Sequence, residues 1–259
     1  MGTIVAPSSF RNALCADFNG TDEYAFRDDP SFKANTAGAW SFWIKMDAVF
    51  GVDGADSVFG YGVRSAGNNA QMLFGPRRVL STTGANTFMS ITHRPTNAGT
   101  ISGFSGTTTA LTAGVWHHCV VQSNGTAWSM WVDGVSQTMT QWNVTGSNNG
   151  DWYGDVSGTD HRFVAGVNYM QNAIGAGFYA GLLDEAVYIA GRVFTSGEVA
   201  SLYNSGTRTN PRKIASIQAD IAAWYRFGDS RDNATTIFDE VGSNDLTLVN
   251  MDASNYVAP

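Results

Sequence analysis

The chain has 259 residues, of which 43% are hydrophobic and only 14% are charged, and its net charge is −7. A chain of this length can bury a sizeable core within one large domain. The few lysine and arginine residues form no basic cluster that could displace counterions from phosphates, so nucleic-acid binding and attraction to anionic membranes are excluded. We find no apolar run of about 18 residues and no pattern of a secretory signal, and therefore expect neither a membrane-spanning helix nor a signal peptide.

Short apolar runs separated by frequent turn residues predict an all-β protein, a two-sheet antiparallel sandwich. The expected strands include Ala39–Met46, Val115–Gln122 and Ala127–Val132, followed by strands near 162–167 and 178–189. The dipeptide Asn124-Gly125 predicts a tight two-residue hairpin turn, and Asp133-Gly134 marks the next reversal.

One short helix is expected near 196–204. The sequence from Thr195 to Glu198 has the pattern of a capping box, in which each side chain bonds the backbone amide of the other residue. Val199 and Leu202 then provide an apolar stripe, and Gly206 is placed where a left-handed residue is expected to end the helix.

The two cysteines, Cys15 and Cys119, leave two alternatives open: one disulfide or two buried thiols. The second is favoured, because a free cysteine is among the most buried residue types.

Two polar segments rich in glycine, asparagine and aspartate, Asp47–Ser57 and Gln141–His161, are predicted to be loops. A glycan site needs aromatic faces for the sugar ring and polar groups for its hydroxyls. The candidate glycan-binding residues in the second loop are Trp142, Asn148, Asn149, Asp151, Trp152, Tyr153 and His161. The alternative is that its aromatic residues pin the loop to the sandwich. In the first loop Asp47, Asp53 and Asp56 could hold a metal, although a solvated loop is favoured.

The pattern of carboxylates argues against an enzyme. Glycoside hydrolysis needs two carboxylates about 5–9 Å apart, but none of the four glutamates has an acidic residue two positions away. Asp184 and Glu185 are adjacent, so on a regular strand they face opposite sides of the sheet. The chain also has no nucleophile elbow, and His117 and His118, which are consecutive, cannot point at one zinc ion.

Four stretches in order resemble the laminin-G-like, concanavalin A-like lectin superfamily over roughly residues 10–206. They begin at Leu14, Trp40, Val115 and Gly181, and the last is followed by the predicted helix. The resemblance implies a jelly roll, with residues 207–259 completing the same sandwich as a single domain. It also implies a structural calcium ion (Ca2+) held by Asn19, Gly20, Asp22 and Asp184.

The C-terminal segment is similar to a piece that usually precedes the first strand in this superfamily. It contains Ala223-Trp-Tyr-Arg-Phe-Gly-Asp and Phe238-Asp-Glu. This permuted order resembles structural proteins of tailed bacteriophages, and the resemblance implies a surface-exposed virion component.

Three functions follow as hypotheses. The first is a non-enzymatic bacteriophage fibre, tail or capsid-decoration protein that contacts other virion proteins, forms a homo-oligomer and binds a host cell-surface glycan. The second is a secreted or cell-surface carbohydrate-binding module. The third, a glycoside hydrolase, is disfavoured by the carboxylate pattern.

Overall fold

The computed structural model describes residues 10, 13–48, 57–65, 67–81, 84–142, 145–170, 173, 174, 177–229 and 231–259. Two antiparallel sheets pack as a sandwich, and the described residues include a single short α-helix. The predicted fold class is therefore confirmed. No helix within the described ranges is long and apolar enough to cross a membrane.

The described ranges form nineteen strands. In chain order these are β1 Cys15–Asn19, β2 Tyr24–Asp28, β3 Gly38–Met46, β4 Phe59–Val63, β5 Gln71–Ser81, β6 Gly84–Arg94, β7 Ser102–Gly106, β8 His117–Ser123, β9 Trp128–Val132, β10 Val135–Ser136, β11 Met139–Gln141, β12 His161–Ala165, β13 Tyr169–Met170, β14 Ala173–Ile174, β15 Ala180–Ala190, β16 Ile221–Tyr225, β17 Thr236–Ile237, β18 Leu246–Val249 and β19 Tyr256–Val257.

The first sheet has the strand order β10-β9-β8-β3-β15-β1-β19, with β16 also paired to β15. The second sheet has the order β11-β7-β6-β5-β4-β12-β2-β18-β17, and β13 and β14 form a separate hairpin. The described part of the chain therefore passes back and forth between two layers, and consecutive side chains on a regular strand alternate between the core and an outer face.

Aromatic side chains fill the space between the sheets. Trp40 on β3 is fully buried. Its ring stacks on Phe163 of β12 at 5.3 Å between centroids and on Phe59 of β4 at 4.9 Å, so the two layers meet through these rings. Burying such large apolar surfaces is the main favourable term in folding.

The C-terminal segment adds strands to both sheets. Strand β16 pairs with β15 and β19 pairs with β1 in the first sheet, while β18 pairs with β2 in the second. The backbone of residues 221–257 thus hydrogen-bonds to strands from the beginning and the middle of the chain.

The helix, α1, spans Ser196–Tyr203 and begins with the predicted capping box. The Thr195 hydroxyl accepts from the Glu198 amide, and the Glu198 carboxylate accepts from the Thr195 amide at 2.8 Å. Its C-terminus differs from the prediction: the left-handed residue directly after the helix is Asn204 (φ 44°), and Gly206 follows two positions later. Asparagine tolerates this conformation better than most non-glycine residues.

One hairpin turn also differs from the sequence prediction. Ser123 pairs with Trp128, so the β8–β9 connection has four residues and is not the two-residue turn expected at Asn124-Gly125. The Asn124 carboxamide oxygen organises the longer loop, because it accepts from the amides of Thr126 and Ala127. The chain reverses at Asp133-Gly134, as predicted, through a two-residue turn with both residues at positive φ.

The two cysteines are free and buried. Cys15 lies on β1 and Cys119 on β8, and two strands separate them in the first sheet. Three strand spacings of about 4.8 Å place their backbones about 14 Å apart, which is too far for a disulfide. Of the two alternatives, the buried thiols are therefore confirmed.

Candidate functional site

The long loop after β11 is held against the sandwich by its aromatic residues. Trp152 and Tyr153 are fully buried. The Trp152 indole nitrogen donates to the Tyr188 hydroxyl at 3.1 Å, and the Tyr153 hydroxyl accepts from the Trp40 indole at 2.7 Å. The expectation that these two rings stack on a sugar is corrected, since neither has an accessible face.

His161 and Asn148 also serve the fold. The His161 ring stacks on Tyr61 at 5.1 Å and is 5% exposed, and burial lowers its pKa. The Asn148 side chain bonds the backbone of Trp128 twice, accepting from its amide at 2.5 Å and donating to its carbonyl at 3.0 Å. Asn148 therefore fixes the loop. His161 lies in β12 with its Nε2 atom 3.2 Å from the Val156 carbonyl, and its buried Nδ1 atom has no hydrogen-bond partner among the described residues.

The remaining candidates, Trp142, Asn149 and Asp151, lie at two separate depressions. The first, here called the Arg77 pocket, is a cavity of about 170 Å³ on the outer face of the second sheet. The side chains that line it include Leu73, Arg77, Ser90, Thr92, Trp142 and Asn168. Leu73 and Arg77 alternate with core residues along β5, and Ser90 and Thr92 do the same along β6, so strand periodicity places all four outward.

The Arg77 guanidinium lies over the Trp142 ring, 3.7 Å from its centroid. The same ring packs on the backbone of Gly103, where any Cβ atom would collide with it. One face of Trp142 is thus covered by Arg77, and the ring orients the cation rather than receiving a sugar. Its indole nitrogen is buried and has no hydrogen-bond partner among the described residues.

The second depression, here called the Asp151 pocket, has a volume of about 380 Å³ and shares no lining residue with the first. Its polar side chains are those of Thr100, Ser102, Thr145, Ser147, Asn149 and Asp151. The Asp151 Oδ2 atom accepts from the Asn149 carboxamide at 2.7 Å and lies 3.4 Å from Nδ1 of His93. The His93 ring lowers the pKa of Asp151 from its ordinary value, so the carboxylate is charged at neutral pH.

The four residues expected to bind calcium do not come together. Asn19, Gly20 and Asp22 form the turn after β1, where Asn19 donates to the Asp22 carboxylate at 2.9 Å. Asn19 pairs with Ala180, so Asp184 lies four residues, about 13 Å, further along β15. Asp184 is instead fully buried in an ion pair with Arg208, and no cluster of three acidic, histidine or cysteine ligands occurs in the described ranges. The donor set does not fit one calcium ion. Of the three aspartates considered as metal ligands in the loop Asp47–Ser57, Asp53 and Asp56 lie outside the described residues.

Asp184 and Glu185 require a further correction. The register of β15 shifts between Asp184 and Val187, and Glu185 adopts φ 45°, which marks a β-bulge. Leu183 and Ala186 on either side both enter the core, so both carboxylates lie on the outer face, not on opposite faces. Each is buried and paired with an arginine, Asp184 with Arg208 and Glu185 with Arg226, at 3.0 Å.

Neither Arg77 nor His93 is identifiable as a site residue from the sequence alone. Arg77 stands beside Arg78 in the sequence, and that adjacency alone does not indicate a site. The signal that could have found it is the period-two pattern of β5, but the glycine and proline at positions 75 and 76 obscure that strand.

No family model and no curated protein matches the chain. Solved structures do. A candidate carbohydrate-binding protein of Bacteroides ovatus is 14% identical with a TM-score of 0.59, and the match covers 96% of this chain and 62% of that one. The chain therefore spans less than two thirds of that protein's length.

Two further solved structures are similar. The CBM40 domain of the Ruminococcus gnavus IT-sialidase is 13% identical with a TM-score of 0.54, over 74% of this chain and 96% of that one. The leech intramolecular trans-sialidase is 14% identical with a TM-score of 0.51, over 77% of this chain and 29% of that one. At these identities the likeness establishes a shared fold, consistent with the concanavalin-like architecture expected from the sequence. The permuted bacteriophage form stays a prediction.

Proposed function

We propose that the protein is a non-enzymatic glycan-binding jelly roll that takes an acidic sugar in the Arg77 pocket. The observation that carries the proposal is the Arg77 guanidinium held 3.7 Å above the Trp142 ring in a cavity of the outer sheet face. An arginine oriented by an aromatic ring is already ordered for hydrogen bonding, so little entropy is lost when it binds a carboxylate.

The chemistry of the pocket favours an anionic acceptor. Arg77 brings the only charge among the described side chains that line it. Thr92 and Asn168 add groups that can bond sugar hydroxyls. The R. gnavus CBM40 domain, which has a similar fold, has been determined with α2,3-sialyllactose, a carboxylate-bearing glycan, and this likeness supports the class of ligand.

The test is isothermal titration of 3′-sialyllactose against lactose, which differs by the acidic sugar alone. We expect the wild-type protein to prefer 3′-sialyllactose. The Arg77→Gln variant should weaken that binding about tenfold or more, because hydrogen bonds to charged groups contribute about 1.5–3 kcal/mol.

The matched control is Arg78→Gln, which removes the same charge from the adjacent residue on the opposite side of β5. It should leave the affinity within about twofold, since long-range charge effects are screened by salt. Equal losses in both variants, or no preference for the acidic ligand in wild type, would contradict the proposed site.

The absence of hydrolysis is part of the proposal. Asp184 and Glu185 are buried and held by arginines, so neither carboxylate can reach a sugar. Glu198 is paired with Arg192, and Glu23 accepts from the Asn19 amide. Prolonged incubation with the bound oligosaccharide, followed by chromatography, should recover it intact. Released monosaccharide would refute this part.

The finer proposal is that the protein is displayed, as a homo-oligomer, on the surface of a bacteriophage virion. The resemblance of the C-terminal segment to structural proteins of tailed bacteriophages supports this proposal. The Arg77 pocket does not distinguish it from a carbohydrate-binding module, which would have the same pocket. Mass spectrometry of purified phage particles should detect the chain, and light scattering of the purified protein should give a multiple of 27.7 kDa. A monomer that is absent from particles would favour the carbohydrate-binding module.

A further inference from the structure

We propose that the Asp151 pocket is a second binding site, separate from the Arg77 pocket, and that it takes an uncharged sugar residue through hydroxyl groups. The pocket is lined by hydroxyl, carboxamide and carboxylate groups, and no cationic side chain is among its described lining residues. A polyhydroxylated, neutral ligand matches such a surface, because it can both donate to and accept from the same set of groups.

The Asp151 carboxylate has one oxygen engaged by protein groups and one available to a ligand. Its Oδ2 atom contacts Asn149 at 2.7 Å and His93 at 3.4 Å, whereas no hydrogen bond from the described residues reaches Oδ1. The side chain is 27% exposed, so Oδ1 can accept from a sugar hydroxyl at the pocket surface. A hydrogen bond of a hydroxyl to a charged carboxylate is shorter and stronger than one between neutral groups.

His93 acts as the positioning residue below the pocket. It is fully buried, and its ring centroid lies 6.1 Å from that of Trp128. Neither ring nitrogen forms a hydrogen bond within the described ranges, although Nδ1 lies 3.4 Å from the Asp151 Oδ2 atom. A buried polar group without a short hydrogen bond is rare and marks a place where a water or a ligand completes the set. His93 thereby fixes the side of the carboxylate that faces inward.

The charge of the pocket determines what it rejects. The Asp151 carboxylate would repel a sugar acid, so this site and the Arg77 pocket should select opposite classes of sugar. Because the two share no lining residue, each can be disabled without the other.

The experiment is an NMR titration of the isotope-labelled protein with lactose. We expect shifts of the amide signals of Gly146, Ser147 and Asn149 that saturate at millimolar ligand. The Asp151→Asn variant should weaken this binding about tenfold, while Asp160→Asn, an identical change outside the pocket, should have no effect. Arg77→Gln should also leave it unchanged, so failure of the proposed function and failure of this site are distinguishable.

A second pair of variants tests the role of His93. His93→Asn keeps a side-chain N–H near the position of Nδ1 and should retain lactose binding, whereas His93→Leu should lose it even under conditions where thermal melting shows the variant to be folded. A protein that shows no amide shifts with lactose, or shifts that disappear in Arg77→Gln, would overturn the second site. Equal binding by the asparagine and leucine variants would overturn the positioning role.

Discussion

The carboxylate of Asp184, which has no exposed surface, forms a 3.0 Å ion pair with the guanidinium of Arg208 on the outer face of the first sheet. Arg208 also lies 3.8 Å from the centroid of the Trp116 ring and 4.9 Å from that of Trp43. The acidic residue that the sequence suggested as a calcium ligand is therefore neutralised by a cation of the protein itself, supplied by the segment after the helix.

This pair predicts a large effect of a single substitution on stability. Arg208→Gln should lower the free energy of unfolding by about 3 kcal/mol, because it leaves a buried charge without its partner. Urea denaturation would measure the loss. The control is Lys33→Gln, which breaks the exposed pair with Asp29 and should cost less than about 1 kcal/mol. Similar losses in the free energy of unfolding in the two variants would show that the burial of Asp184 does not determine how much its ion pair with Arg208 stabilises the fold.

The bulge that brings Asp184 and Glu185 to one face of the sheet could not be predicted from the sequence. Short apolar runs between turn residues correctly predicted β3, β8 and β9, of which β3 and β8 are buried on both faces and β9 alternates. A single residue at positive φ shifts that pattern by one position, and Glu185 is not a residue type that signals such a conformation.

The candidate site was predictable only in part, for a related reason. The composition of the long loop drew attention to Trp142, Asn149 and Asp151, which line the two depressions. It could not reveal that Trp152 and Tyr153 are core residues, because an aromatic ring suits a sugar and a core equally well. The pairing of Trp142 with Arg77 joins residues 65 positions apart, and it depends on the register of β5, β6 and β7, which a local pattern does not encode.

The packing of Trp142 on Gly103 provides a second prediction. In Gly103→Ala the new methyl group collides with the indole, so the ring and the Arg77 guanidinium above it must move. We expect weaker binding of 3′-sialyllactose with a small change in stability, because Trp142 is only partly buried. Gly197→Ala is the control: a Cβ atom there meets nothing within 4 Å, so the affinity should not change. Unaltered binding by Gly103→Ala would argue against orientation of Arg77 by Trp142.

The capping box of α1 predicts a dependence of stability on pH. Burial alone would raise the pKa of Glu198, but hydrogen bonds from Arg192 and from the Thr195 amide outweigh it and lower the pKa from 4.5 to about 2. Because the folded-state pKa is depressed, the stabilising contribution is complete above pH 4.5 and is lost as the pH falls toward 2.

Glu198→Gln should therefore flatten the part of the stability curve that lies in this pH range. Urea unfolding of both proteins at several pH values would measure the difference between them, which should shrink as the solution becomes more acidic. A difference that stays constant down to pH 2 would mean that the charge of Glu198 is not the source of the stabilisation.

The buried thiols give a prediction that concerns the whole sandwich. Burial raises the pKa of Cys15 to about 12 and that of Cys119 well above its ordinary value, so neither forms the reactive thiolate at neutral pH. Ellman's reagent should thus label no cysteine in the native protein and both after denaturation without reductant. Labelling of Cys15 alone in the native state would indicate local opening at β19, the edge strand whose Val257 carbonyl accepts from the Cys15 thiol at 3.5 Å. Failure to label either cysteine after denaturation would instead reveal a disulfide, which the strand order of the first sheet forbids.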